Sequence, residues 1–371
     1  MSLKEKIDSL NFSSGQKKML GILLGLLLVF IVIIIIVSIT GNSKVSYEQL
    51  ENIMTRAAEN YAKSNSLYKE DELYGNKEIK VSTLVDKGYM KPMVKYLGEG
   101  TTCDAKVVVY KNLDRYTYIP KLKCGDNYET VSLRDAIINN NVVSTGSGLY
   151  EVEDKYVYRG EYVDNYVTFS GATWRIISID NVGVKMIQQK ETGYSIWDNR
   201  YNADYGYAGG INSFEGVEAS RLKNSIMEMY NNEKAVTEQA KAIVVPRQYC
   251  VGKRAKDDTI LNDSVECQTL SELMGATTLN VGEYLTASLD AGCTSLSSRA
   301  CVNYNYLARL GSTYWTTTAP TENTGYAYMI SSTAQSQQAS MSYALRLVVT
   351  INGEINYKSG TGTMADPYII D

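Results

Sequence analysis

The chain has no histidine among its 371 residues. That absence excludes Ser-His-Asp and Cys-His catalysis, histidine-ligated zinc and imidazole pH switching together. Phenylalanine and proline are scarce, at four and five residues, whereas tyrosine reaches thirty. Tyrosine joins an apolar ring to a polar tip, so it suits a half-wet core and a binding face alike. Cysteine is missing from the first hundred residues, and charge is missing from Met19 to Ile39, which reads MLGILLGLLLVFIVIIIIVSI.

At about 1.5 Å rise per residue, a helix of that length crosses a bilayer core. The following SITGNSK offers no small-x-small cleavage site, so the segment reads as an uncleaved transmembrane helix over 19–40. Ahead of it lie Lys4, Lys6, Lys17 and Lys18, while the stretch beyond carries Lys44 and Arg56 beside Glu48, Glu51 and Glu59. The positive-inside rule then makes 1–18 a cytoplasmic tail and places everything after Thr40 outside the cell, on a single-pass membrane protein. Net charge is −4 for the whole chain and +2 for the first eighteen residues (four Lys, Glu5 and Asp8), leaving −6 beyond them. A mildly acidic ectodomain is a poor partner for nucleic acid or an anionic membrane surface.

All six cysteines, Cys103, Cys124, Cys250, Cys267, Cys293 and Cys301, fall beyond the apolar run in three sequence-local couples. An even set in an exported chain predicts disulfides, although spacing alone does not fix connectivity. For the first couple, a hairpin turning at Leu113-Asp114 puts Cys103 opposite Cys124, and the flanks AKVVVYK and RYTYIPKL are rich in strand formers.

Ser46-Tyr47-Glu48-Gln49 has the S-x-x-Q form of a capping box, and Tyr47, Leu50, Met54, Ala57 and Tyr61 recur at helical steps behind it. Val81 to Val85 reads as a short helix with a turn at Gly88, and a strand is expected near Tyr128 to Val131. The segment NNNVVSTGSG, 139–148, is the expected linker. Beyond it, Val167–Phe169, Thr173–Ile179 and Val184–Ile187 read as a β-meander, followed by a helix near Ala219 to Asn231 with Leu222, Ile226 and Tyr230 on one stripe. Roughly 330 residues beyond the apolar run are enough for two ordinary domains, here 41–138 and 149–371.

An apolar anchor, an amphipathic helix, V-S-T-L-V-D-K-G-Y-M and a cysteine-bracketed hairpin ending YTYIPKLKC together resemble the globular part of bacterial type IV pilins and pseudopilins, over about 45–131. That resemblance implies a helix on a small antiparallel sheet, and its processing signature is not found at Lys17–Gly21, which fits a permanent anchor. FSGATWRIISI, LNVGEYL, the Cys293/Cys301 loop, YWTTT, ALRLVV and the terminal GTGT…DPY resemble extracellular domains of uncharacterised Gram-positive and mycoplasma-like surface proteins, over about 149–371. Those are distantly similar to the C-type-lectin-like fold of formylglycine-generating-enzyme relatives. The resulting fold class is α+β: a transmembrane helix, a pilin-like module and a β-rich lectin-like domain.

Trp197 and Trp315 lie beside polar loops and are candidate stacking platforms for a sugar or peptide, with burial the default for tryptophan. Trp174 sits inside an apolar strand and reads as core. Asp198, Asn199, Asn202 and Asp204 form an oxygen-rich loop of the kind that holds Ca²⁺, without EF-hand spacing, so a solvated loop is the simpler reading. Asp257, Asp258 and Asp263 share that ambiguity. Ser220-Arg221-Leu222-Lys223 with Lys358-Ser359-Gly360 matches two elements of a Ser/Lys acyl-transfer enzyme, but the middle S-x-N element is missing. The sequence therefore predicts a binding protein of the bacterial envelope rather than an enzyme, with no metal or cofactor implied. Its binding residues would be Trp197, Asp198, Asn199, Asp204 and Trp315, and its ligand a glycan, wall peptide or protein. A pseudopilin-like scaffold of a secretion or DNA-uptake apparatus is the alternative.

Overall fold

The computed structural model describes residues 44–203, 206, 209–216 and 219–370. In the first unit come Tyr47–Ser64 (α1), Tyr74–Lys80 (β1), Val81–Asp86 (α2), Val94–Leu97 (α3), Asp104–Asn112 (β2), Arg115–Cys124 (β3) and Tyr128–Glu129 (β4). Leu133–Asn141 (α4) leads to Gly148–Val152 (β5), Lys155–Arg159 (β6), Tyr166–Phe169 (β7), Ala172–Ile179 (β8), Gly183–Gln188 (β9) and Gly193–Ile196 (β10). Arg221–Asn231 (α5) and Val281–Thr286 (α6) precede the last strands, Tyr314–Trp315 (β11), Tyr326–Ile330 (β12), Ala334–Gln338 (β13), Ser342–Leu345 (β14), Val348–Asn352 (β15) and Tyr368–Ile369 (β16).

The architecture of the described residues is α+β, and the expected transmembrane helix is not among them. Among the described residues no helix is long and apolar enough to cross a membrane. The longest, α1, carries Glu48, Glu51, Arg56, Glu59 and Lys63 in its 18 residues, and charges at that density are costly in a bilayer core. The Met19–Ile39 run lies outside the described residues, so the single-pass membrane localisation and extracellular topology that rested on it are withdrawn.

The start of α1 follows its sequence closely. Ser46 Oγ accepts from the Gln49 N–H at 3.1 Å, and Gln49 Oε1 accepts from the Ser46 N–H at 3.0 Å, which completes a capping box. Its apolar stripe puts Leu50, Met54, Ala57 and Ala58 against Val107, Val109 and Leu122 of the four-stranded sheet β1-β2-β3-β4. The β2-β3 hairpin pairs Asn112 with Arg115 and Asp104 with Lys123, and this register sets Cys103 opposite Cys124. Those two are bridged, as are Cys250 with Cys267 and Cys293 with Cys301, and no described cysteine is free.

A larger core fills the rest of the chain. One sheet runs β15-β9-β8-β6-β5, with β7 on the first half of β8 and β16 on β7, and a second runs β10-β14-β11-β12-β13. The meander β7-β8-β9 forms as its alternation predicts, and Asp180 Oδ1 closes its second turn by accepting from the Val182 and Gly183 N–H groups, each at 2.9 Å. Between β14 and β15 the chain changes sheets, so ALRLVV is a corner rather than one strand. Buried Arg346 pins that corner by donating to the Gln189 carbonyl and, at 2.7 Å, to the Leu310 carbonyl.

Leu133 and Ile137 of α4 pack in the larger core, so the change of core comes before α4 rather than at 139–148. The units meet along the β2-β3 hairpin. Asn112 Nδ2 donates to the Val244 carbonyl at 2.6 Å, Thr117 Oγ1 to the Ala242 carbonyl at 2.8 Å, and Lys121 Nζ reaches Glu354 Oε2 at 3.3 Å.

Candidate functional site

The tryptophans expected to face a ligand are brought together, but inside the protein. Trp197 and Trp315 are both fully buried. Each indole N–H donates to a carbonyl beside the other ring, Trp197 Nε1 to Thr316 O and Trp315 Nε1 to Ser195 O, both at 2.9 Å. Phe214 packs edge-on to Trp197, and Tyr343 to Trp315. With polar handle and ring face both engaged, neither residue offers a stacking surface, and their expected ligand-facing role is corrected to a core role. Trp174 is buried as expected.

Asp198 is also fully buried and already has a cation. Arg200 Nη2 lies 2.7 Å from Asp198 Oδ2, and the backbone N–H groups of Arg200 and Arg221 donate to the same carboxylate. Burial works against its charge, but the Arg200 hydrogen bonds and guanidinium outweigh it and hold the carboxyl below its ordinary value. Asn199 is exposed, Asn202 Nδ2 donates to the Gly210 carbonyl at 2.8 Å, and Asp204 lies outside the described residues. The Ca²⁺ reading loses its central ligand to Arg200. Asp258 likewise faces Arg254, and Asp263 faces Lys155.

Ser220 is the N-cap of α5 and accepts from the Lys223 N–H at 3.4 Å. The Lys223 ammonium is directed elsewhere, to Glu215 at 2.8 Å and Glu272 at 2.9 Å. Its burial lowers its proton affinity, but those two carboxylates raise it further, so the amine is held protonated. A general base must be neutral, and this one is not. Cys250, Asp263 and Cys267 form the one cluster of metal-ligand type among the described residues. The two sulfurs are joined to each other and Asp263 is 2.9 Å from Lys155, so no thiolate is left to bind a metal.

A concave feature lies where the two units meet, in a cleft of about 560 Å³. Glu48, Glu51, Asn52 and Thr55 of α1 form one wall, Thr117, Tyr118 and Pro120 of β3 the floor, and Asn356, Tyr357 and Lys358 of the chain end the other wall. Glu51 is 8% exposed. Its carboxylate accepts from Thr130 Oγ1 and, at 3.4 Å, from Asn356 Nδ2, with Tyr128 as a further hydrogen-bond partner. Desolvation dominates these contacts and raises the Glu51 carboxyl above its ordinary 4.5. Burial also raises the Tyr128 and Tyr118 phenols, so both stay protonated as donors. Asn356 Oδ1 is buried without a hydrogen-bond partner, and such an acceptor is costly to leave unmet. The cleft thus offers the exposed Glu48 carboxylate and the Tyr118 phenol and ring, beside a buried polar cluster of Glu51, Tyr128, Thr130 and Asn356.

No family model, curated protein or solved structure matches this chain. The cleft therefore stands on its own chemistry. None of its residues was singled out from sequence as a ligand group. Glu48 and Glu51 entered the sequence reading only through the charge balance beyond the apolar run, and residues 355–358 are some three hundred positions away. The hint available was Glu51 itself, one turn from Tyr47 and beside Leu50 on the edge of the apolar stripe.

Proposed function

We propose that this chain is a disulfide-braced binding protein that holds a polar ligand in the cleft between α1 and residues 355–358. A ligand of this kind is an oligosaccharide, a peptide or a segment of another protein. The observation that carries the reading is the cleft's composition: Glu48, Glu51, Tyr118, Tyr128, Asn356 and Tyr357 around about 560 Å³ at a junction between units, the setting and size in which small-molecule and peptide sites recur. The site contains hydrogen-bonding groups and ring faces but no nucleophile paired with a base, which supports binding over catalysis. Three disulfides fit a protein that works in an oxidising compartment.

The test is a screen of the full chain against immobilised oligosaccharides and short peptides, followed by hydrogen exchange with the best binder. Protection is expected at 48–55 and 355–358. Glu48→Lys with Tyr118→Ala should weaken the same binder at least tenfold while far-UV circular dichroism is unchanged. Undiminished binding by that folded variant, or protection confined to other segments, refutes the site.

A further inference from the structure

We propose that a second cleft, between residues 212–215 and the loop closed by the Cys250–Cys267 bridge, binds a small zwitterion of the free amino-acid class, its carboxylate on Lys253 and its ammonium on Glu215. The cleft holds about 360 Å³ and is lined by Asn212, Phe214, Glu215, Val251 and Lys253. That volume is at the small end of the range in which ligand sites occur. The disulfide sets residues 250–253 against 265–269, where the Gly252 N–H donates to the Glu266 carbonyl at 2.8 Å and the Val251 N–H to the Thr269 carbonyl at 2.9 Å. One wall is therefore fixed by backbone bonds and a covalent bridge, and the apolar lining residues Phe214 and Val251 are buried.

The positive end of the site is Lys253. Its ammonium donates to Asn212 Oδ1 at 2.7 Å, and no carboxylate among the described residues pairs with it. Asn212 is buried, and its Nδ2 donates to the Pro320, Asn323 and Tyr326 carbonyls at 3.1, 2.6 and 3.0 Å, so three acceptors fix which way the amide faces. An amide oxygen carries no net charge to offset the ammonium. The more deeply buried lysines, Lys185, Lys223 and Lys241, each face a carboxylate instead. Desolvation lowers the proton affinity of Lys253, as it does for a cation that lacks a counter-ion. The side chain is nonetheless exposed, so an anion in solution can reach it.

The negative end is Glu215. Lys223 Nζ lies 2.8 Å from Glu215 Oε2 and 2.9 Å from Glu272 Oε1, so one ammonium is divided between two carboxylates. Glu215 Oε1 is left buried with no donor, and an acceptor in that state is costly until a donor meets it. Lys253 does not meet it, although the two line the same cleft. The Glu215 side chain is not sealed off, at 16% exposed. A ligand that brings a carboxylate to Lys253 and an ammonium to Glu215 completes both at once. A simple anion would leave Glu215 unmet, and a simple cation would leave Lys253.

Thermal unfolding of the full chain with each standard L-amino acid at about 10 mM tests the proposal, since a ligand bound only by the folded state raises the melting temperature. At least one is expected to do so, and titration calorimetry with the strongest should give saturable binding. The amine and the carboxylic acid that each lack one of its two charged groups should bind at least tenfold more weakly. Lys253→Gln and Glu215→Gln should each weaken the amino acid at least tenfold, with the fold of each variant checked by circular dichroism. Lys253 is exposed, so its variant keeps the test decisive even where Glu215→Gln disturbs the Lys223 contact. No response to any amino acid, an analogue that binds as tightly as the amino acid, or undiminished binding by folded Lys253→Gln overturns the site.

Discussion

Replacing Arg254 with methionine should be among the most destabilising single changes available in this protein. Arg254 and Glu266 are both fully buried and 2.6 Å apart. The guanidinium also donates to Glu266 Oε1 at 2.8 Å, to the Ile260 and Asn262 carbonyls at 2.6 Å each, and to Asp258 Oδ1 at 3.3 Å. It therefore ties down most of the loop that the Cys250–Cys267 bridge closes. Glu266 in turn accepts from the Gly282 N–H and the Thr318 hydroxyl, each at 3.2 Å, which anchors that loop to α6. Arg254→Met leaves a desolvated carboxylate with two neutral donors and frees two carbonyls. Breaking such a pair costs about 3–5 kcal/mol, or roughly 10 °C in the melting temperature of a unit this size. Urea unfolding followed by tryptophan fluorescence reads the loss directly, since all three indoles sit in the larger core. The double variant Arg254→Met with Glu266→Leu should fall short of the sum of its singles by at least about 2 kcal/mol, because it removes the orphaned charge while still leaving the carbonyls unmet. A single-variant loss under about 1 kcal/mol, or strict additivity, would refute the view that the pair acts as one electrostatic unit.

Removing the bridge that closes the first hairpin, with Cys103→Ala and Cys124→Ala together, should cost roughly 3 kcal/mol for a loop of this length, mostly through the unfolded chain. Equal urea midpoints for oxidised wild type and variant would contradict that. Ser332 takes φ 93° at the β12-β13 turn, a conformation open mainly to glycine, and Tyr284 holds it by donating to its carbonyl at 2.6 Å. Ser332→Gly should therefore stabilise by about 0.5–1 kcal/mol, and any loss in thermal unfolding would count against strain at that turn. For Glu51 the folded-state carboxyl is raised by burial from 4.5, so the folded form takes up its proton more readily than the unfolded one. Its stabilising contribution is complete below the ordinary value and is lost as pH rises through the raised one. Glu51→Gln should remove that share of the stability difference between a pH below 4.5 and pH 7, measured by urea midpoints, and an unchanged difference would show that Glu51 is not its source.

Local features of this fold were legible before any coordinate. The capping box at Ser46/Gln49, the stripe from Leu50 to Ala57, the facing of Cys103 and Cys124 and the β7-β8-β9 meander all depend on neighbours within about twenty residues. Helical period, strand alternation and turn chemistry encode such neighbours directly. Reasoning failed where polar context stood in for exposure. Trp197 and Trp315 border loops rich in Asp, Asn and Thr, yet both indoles are buried and donate to buried carbonyls. Asp198 looked like one of several free oxygens until its oxygens were seen on Arg200 and on the start of α5.

The amino-acid sequence by itself determined the absence of imidazole chemistry, the α+β character and the closing of one disulfide hairpin, because each follows from composition or short-range periodicity. Tertiary structure alone decided the other two cysteine pairings, the corner at Arg346 and the cleft that joins Glu51 to Asn356. Those depend on groups separated by tens to hundreds of residues, whose meeting is set by how two cores pack against one shared hairpin rather than by any pattern along the chain.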